Sequence, residues 1–334
     1  MFLAQKSFVV ATLLVAAELI SVHASTVDVT DGIQSMALYL SDRLPRELAA
    51  LMVRKQASTV EIEDLLAFDQ MHYEGENAMI SAISSMEITS SSRILDIGSG
   101  YGGPARYVSW KTGAFVTALE LQPEISGEAQ KMTSLVGRTK AGPFDNNQDL
   151  EFLVDHQVGN IISWGPNAIN DGSESIKYDG FMSMLAFLHV DDKKALFTSI
   201  GHTLKPGARF YIEDYFERAG LTDEDISILR DIVSCGALPS QSEYVKSLEL
   251  AGFSDINFVD KTEDWAVFVA GRHEIFIREK ESRTEVLGDR TYNALDLFYS
   301  SVAKLFHGGR LGGTVITGTY RGPSSRNGDA MEEL

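Results

Sequence analysis

The chain has 334 residues and one cysteine, Cys235, which excludes a disulfide framework and a cysteine-rich zinc site. Its length is enough to bury a core without either staple. A formal net charge of −18, from 47 acidic against 29 basic residues, argues against a broad nucleic-acid interface, which needs a basic footprint on the phosphates.

Met1 to Lys6 is a short positive lead, Phe8 to Ala17 a nearly unbroken apolar run, and Val22-His23-Ala24 offers small residues of the cleavage-site kind. Residues 1–25 therefore read as a signal- or organelle-targeting segment, or as an N-terminal helix packed on the domain; Glu18 is unusual in the former. No later stretch is apolar for long enough to predict a membrane span. From Asp31 to about Met86 the pattern is helical: Ala37, Leu40, Leu44, Leu48, Leu51 and Met52 recur at helical spacing, with Pro45 expected to split the run. Thr59-Val60-Glu61-Ile62 looks like the capped start of a helix holding Leu65 and Leu66. These helices precede the first strong strand, so residues 26–90 are expected to form a helical cap.

The period then changes. Strands are expected at Arg93–Ile97, Phe115–Leu121, Leu150–Val158, Tyr178–Met184 and Ala208–Asp214, alternating with helices at Pro104–Trp110, Pro123–Leu135 and Asp192–Leu204. This alternation predicts a doubly wound, Rossmann-like α/β fold with a parallel sheet over residues 91–260. Gly137–Gln148 and Ser163–Lys177 read as surface loops. Beyond Asp214 come helices at Thr222–Cys235 and from Pro239 to Gly252, and a strand at Asp255–Val259. Residues 261–321 are expected to add helices at about Glu263–Lys280 and Thr291–Phe306 and a last strand at Thr314–Tyr320. The tail from Gly322 to Leu334 has the composition of a disordered end.

The chemistry begins at Gly98-Ser99-Gly100-Tyr101-Gly102-Gly103, between the first strand and its helix. Glycines there close a tight turn and let the backbone approach a ligand. The string itself fits two nucleoside cofactors, NAD and S-adenosylmethionine. Asp96, at the strand end two residues before Gly98, decides for the second: a carboxylate repels a pyrophosphate but suits a cofactor carrying a sulfonium and an ammonium group. Glu120, ending the second strand, is placed to accept both ribose hydroxyls in either case.

With those residues in view, Leu95-Asp96-Ile97-Gly98-Ser99-Gly100-Tyr101-Gly102-Gly103-Pro104-Ala105-Arg106, Val116-Thr117-Ala118-Leu119-Glu120-Leu121 and Leu204-Lys205-Pro206-Gly207 resemble the successive motifs of the class I S-adenosylmethionine-dependent methyltransferases. Tyr101-Gly102-Gly103-x-Ala105-Arg106, Ala186-Phe187-Leu188-His189 and Gly308-Gly309-Arg310-x-Gly312 most resemble the sarcosine/dimethylglycine and phosphoethanolamine N-methyltransferases, over roughly Asp69 to Arg321. The resemblance implies that Asp96, Gly98, Ser99, Gly100, Glu120 and Leu121 hold the cofactor. It further implies that Asn160 meets the adenine amino group and that Met184 and Leu185 line the methionine side. His189, after the fourth strand, resembles the histidine that pairs with a tyrosine in the phosphoethanolamine enzymes, and Tyr73 lies where related enzymes place lid aromatics; these two are the catalytic candidates. Asp214, Tyr215 and Arg310 are the candidates for holding the acceptor. Trp265 and Tyr244 sit on amphipathic helices and read as core.

One position departs from the pattern. Enzymes of the sarcosine and phosphoethanolamine type usually carry an Asp directly before the Ala-x-Leu-His stretch, where this chain has Leu185. That opens an alternative, S-methylation of a small thioether acid, beside N-methylation of a small amine; a NAD-dependent oxidoreductase is the rival from another class. The expected partner is a small-molecule acceptor, with no nucleic acid and no metal, and oligomeric state and compartment are not legible.

Overall fold

The computed structural model describes residues 36–40, 42–66, 68–136, 153–167 and 177–323. The targeting-like segment, the loop at 137–148 and the tail after Pro323 lie outside the described residues. A 3-10 turn at Ala37–Tyr39 precedes helices α1 (Arg43–Lys55), α2 (Ile62–Leu65) and α3 (Glu76–Met86). Then come β1 (Arg93–Ile97), α4 (Gly103–Thr112), β2 (Phe115–Glu120), α5 (Pro123–Leu135), β3 (Val154–Val158), α6 (Ile161–Asn167) and β4 (Tyr178–Met184). After a 3-10 turn at Phe187–His189 follow α7 (Lys193–Gly201), β5 (Leu204–Glu217), α8 (Asp223–Asp231), α9 (Gln241–Leu250) and β6 (Phe253–Asp260). Helices α10 (Thr262–Arg278), α11 (Lys280–Leu287) and α12 (Asp289–His307) lead into β7 (Leu311–Tyr320).

The seven strands form one sheet in the order β3-β2-β1-β4-β5-β7-β6. Strands β1 to β5 run parallel, and β7 is antiparallel to both β5 and β6. The chain moves outward from β1 through β2 to β3, then returns to lay β4 on the other side of β1. At such a reversal the connections leave in opposite directions, so a crevice opens at the carboxyl ends of β1 and β4. That crevice holds the glycine turn.

Alternation along β1 divides the core. Ile94 faces a cluster with Leu44, Val60, Met79 and Val116, burying the N-terminal cap. Leu95 faces the other side with Phe181, Phe197 and Phe210. A third cluster joins the C-terminal helices, through Trp265, Phe298, Val302 and Leu305, to Tyr73 and Tyr215.

Several sequence expectations change. Pro45 does not split its helix: it is the third residue of α1, where its missing N–H has no intrahelical partner to lose. Part of the expected loop at 163–177 is the end of α6, which carries Gly165-Pro166 and so looks like a breaker in sequence. Three helices, not two, span residues 262–307, with Gly288 at φ 79° between α11 and α12. The last strand is no appendage. It is inserted between β5 and β6, so the boundary drawn at residue 260 separates strands that one sheet joins. Among the described residues no helix is long and apolar enough to cross a membrane.

Candidate active site

Gly98 sits at φ +70°, and a Cβ built on it would lie 2.3 Å from the Cβ of Ala186, just beyond β4. Both the left-handed backbone and the close approach of the two turns require glycine. We expect Gly98→Ala to cost about 1–3 kcal/mol of stability. It should also weaken S-adenosylhomocysteine binding at least ~10-fold by moving the β1 turn away from the β4 turn. Chemical denaturation and a calorimetric titration check this; wild-type values on both would show that the turn tolerates the side chain.

Asp96 and Ser99 line a hollow together with Gly98, Gly100, Tyr101, Met71, His72, Tyr39 and Met184. Asp96 is buried, and its Oδ2 has no partner among the described residues; the same holds for Ser99 Oγ. Burial, then the charge of Glu120, pushes the Asp96 carboxyl up to about 8. Glu120 is itself buried at the end of β2. Its Oε2 accepts from Gly100 N at 2.9 Å and its Oε1 from Gln122 N at 3.0 Å; burial raises its carboxyl and these backbone bonds oppose the rise. Gly100 faces open space: a Cβ placed on it would have Met71 Sδ as its nearest neighbour, at 4.0 Å. Unpartnered acceptors and a bare backbone turn suit a ligand with cationic and hydroxyl groups, which is the cofactor inferred from Asp96.

Leu121 follows β2 half-buried at the same edge, and Asn160 follows β3. The Asn160 side-chain oxygen accepts from Ile162 N at 3.0 Å, opening α6, and so keeps one lone pair for another donor.

A second hollow adjoins the first, sharing Tyr39, Met71 and Met184 with it. It is lined by Tyr73, Leu185, Leu188, His189, Tyr215, Arg272 and Phe298. Each hollow has room of only about 30 Å³. Small-molecule sites run to several hundred Å³ (roughly 300–1,000), and Tyr39, Met71 and Met184 form the wall between the two hollows. Tyr39 lies edge-on to His189, with ring centroids 6.4 Å apart.

His189 Nδ1 donates to Ser234 O at 3.0 Å, which leaves Nε2 as the acceptor nitrogen. Burial, opposed by that bond and reinforced by Lys193, lowers the imidazole to about 4. Tyr73 and Tyr215 join their hydroxyls in a buried hydrogen bond, and Trp265 packs edge-on to Tyr73 at 4.9 Å. Leu185 follows β4 at φ 57°, its N–H donating to Glu213 O at 2.8 Å.

The structure thus gathers Asp96, Gly98, Ser99 and Gly100 in one hollow and Tyr73, Leu185, His189 and Tyr215 in the next. Two acceptor candidates stand apart from both. Asp214 alternates to the opposite face of β5 from Tyr215 and accepts from Tyr244 Oη at 2.8 Å. Arg310 donates to Asp225 Oδ2 at 2.7 Å, and that pairing holds the Asp225 carboxyl down to about 2. Trp265 and Tyr244 are fully buried, as expected of core. Tyr39, His72 and Arg272 line the two hollows without having been predicted from the sequence. Of these only His72, inside Asp69–Gly75, carried any sequence signal, its neighbour Tyr73.

No family model matches the chain. A glycine/sarcosine/dimethylglycine N-methyltransferase of Actinopolyspora halophila is 27% identical over 180 residues, covering 53% of this chain and 28% of the relative. A sarcosine/dimethylglycine N-methyltransferase of Halorhodospira halochloris is 25% identical over 221 residues, covering 64% of this chain and 71% of the relative. The chain therefore spans little more than a quarter of the first relative's length. Among solved structures, phosphoethanolamine N-methyltransferase 2 of Haemonchus contortus, in complex with phosphomonomethylethanolamine and S-adenosylhomocysteine, aligns with a TM-score of 0.61 at 17% identity. That alignment covers 82% of this chain and 59% of the other. The chain has the fold of the class I S-adenosylmethionine-dependent methyltransferases, and its curated homologues include sarcosine/dimethylglycine and phosphoethanolamine N-methyltransferases.

Proposed function

We propose that this protein transfers a methyl group from S-adenosylmethionine to the nitrogen of a small polar metabolite. The observation that carries the reading is the pair of adjoining hollows: one presents the unpartnered Asp96 Oδ2 and Ser99 Oγ beside a bare glycine turn, the other presents His189 among aromatic rings. Asp96 would face the cofactor's cationic groups and Glu120 its ribose hydroxyls, with Asn160 at the adenine end. When bound, the cofactor supplies an electrophilic methyl on a sulfonium. The chain's own residues then align the acceptor and exclude water. Tyr39, which lines both hollows, would offer its ring to a cationic amine. An ammonium must lose a proton before its nitrogen can attack. His189 is neutral at pH 7 with Nδ1–H fixed on Ser234, so the Nε2 lone pair is the acceptor for that proton; burial makes the imidazole a weak base in the free protein, and the charge of a bound anionic acceptor would raise it.

The test is incubation of the full chain with methyl-labelled S-adenosylmethionine and a panel of small amines, including sarcosine, dimethylglycine and phosphoethanolamine. A labelled small product is expected. Thermal stabilisation by NAD but not by S-adenosylhomocysteine would overturn the reading. We expect His189→Ala to lower kcat toward the amine by about 10²–10⁴-fold, with S-adenosylhomocysteine affinity unchanged. Undiminished turnover would remove His189 as the base.

A further inference from the structure

Arg272, on α10, lines the acceptor hollow beside Tyr73, Leu185, His189 and Tyr215. It also lines a separate cavity of about 460 Å³ between α1, α10 and α12, which shares Leu38, Met71 and Arg272 with the hollow. The side chain thus stands in the wall between a roomy vestibule and the inner site.

Its bonding is unusual for a partly buried cation. The guanidinium lies over Tyr299 at 4.8 Å, Tyr73 at 5.0 Å and Phe268 at 5.6 Å. Its side chain bonds the Tyr73 hydroxyl, but its Nε is buried without a hydrogen-bond partner, and among the described residues no carboxylate pairs with it. The two other arginines of the vestibule differ: Arg43 has Glu47 at 3.7 Å, and Arg283 has Glu279 at 2.8 Å. Only one acid, Glu47, lines the vestibule against three arginines. A partly buried guanidinium without a counter-ion is open to an anion that would complete it, and a planar fork set among aromatic rings suits a carboxylate or phosphate.

We propose that Arg272 binds the acidic group of the methyl acceptor, which makes the acceptor an anion-bearing molecule entering through the vestibule. This rests on the methyltransferase reading above. The acidic group would lie at the Arg272 wall while the atom to be methylated points past Tyr73 and Leu185 toward Met184 and the cofactor hollow. It assigns to Arg272 the role that the sequence suggested for Arg310.

The test uses the full chain saturated with S-adenosylhomocysteine, so that binding is read without turnover. Dimethylglycine, phosphoethanolamine and a short thioether acid are titrated calorimetrically, each beside its counterpart lacking the acid. At least one acid is expected to bind wild type roughly 10–100-fold tighter than its counterpart, the range of a charge-assisted pair. Arg272→Gln should erase that difference and leave S-adenosylhomocysteine affinity unchanged, with Arg272→Lys, which keeps the charge but not the fork, in between. A wild type with no preference for any acid, or a preference that survives in Arg272→Gln, overturns the proposal. Should Arg272→Gln not fold, Arg272→Lys decides it: the preference must fall several-fold. A wild type that does not bind S-adenosylhomocysteine at all brings down the cofactor reading beneath it instead, so the two failures are distinguishable.

Discussion

Arg106→Met should lower the free energy of unfolding by about 3–5 kcal/mol, the loss seen when one member of a buried ion pair is removed. Arg106 is fully buried in α4, its Nη2 donating to Asp69 Oδ2 at 3.0 Å and its Nη1 to Ala129 O at 3.2 Å and Thr133 Oγ1 at 3.0 Å. Burial acts on both partners, raising the Asp69 carboxyl and lowering the guanidinium, and the pairing opposes each shift. Without Arg106, Asp69 is left as an uncompensated charge in the interior. The pair also sets geometry. It ties the segment between α2 and α3 of the N-terminal cap to the helix that follows the glycine turn, and a Cβ on Gly103 would lie 2.8 Å from Asp69 O. The double variant Arg106→Met, Asp69→Asn should recover most of the loss, because it removes the stranded charge. Urea unfolding of the three variants measures this, and a single variant within about 1 kcal/mol of wild type, of order RT, would show that the pair does not hold the cap.

The other large effect concerns protons. Asp96 is held at about 8 in the free protein, so its carboxyl is mostly protonated at pH 7. A cation placed against it restores the ionised form. Cofactor binding at pH 7 should therefore release about one proton per site, falling toward zero above about pH 9. Calorimetry in buffers of different ionisation enthalpy reads that number directly. The sign for stability follows from the same shift. An acid whose folded value is raised contributes stability that is present below its unfolded value near 4 and is lost as pH rises through about 8. The free protein should thus weaken across that interval, and the cofactor should remove the weakening. Asp96→Asn mimics the protonated form: it should leave the free protein less sensitive to pH, abolish the proton release and weaken S-adenosylmethionine about 10–100-fold. Proton release that persists in Asp96→Asn would move the titrating group elsewhere, Glu120 being the nearest alternative.

The cofactor half of the site was legible because its signals are local. Gly98, Gly100 and Asp96 lie within five residues, and the strand before them and helix after them have clear periods. The acceptor half is assembled from elements far apart in the chain. Tyr39 sits in a short 3-10 turn at the start of the cap, Arg272 is one charge among many on α10, and both become meaningful only when packed against Tyr73 and His189. Asp214 and Tyr215 look equivalent in sequence as neighbours at a strand end; the direction of the pleat separates them. The position of β7 was also hidden, since nothing in Leu311–Tyr320 encodes which strands it will join.

Leu185 has an implication for how acceptor choice changes in this fold. A leucine at φ 57° occupies a backbone conformation that asparagine, aspartate and glycine adopt more readily, at a penalty of roughly 1–2 kcal/mol. A short polar residue such as aspartate would fit that conformation better than the leucine that is there. The turn after β4 thus holds an apolar side chain in a conformation that a short polar residue would take at less cost. Leu185→Asp therefore needs no new backbone, so a charge can be set at this wall of the second hollow without rebuilding the turn that borders the first.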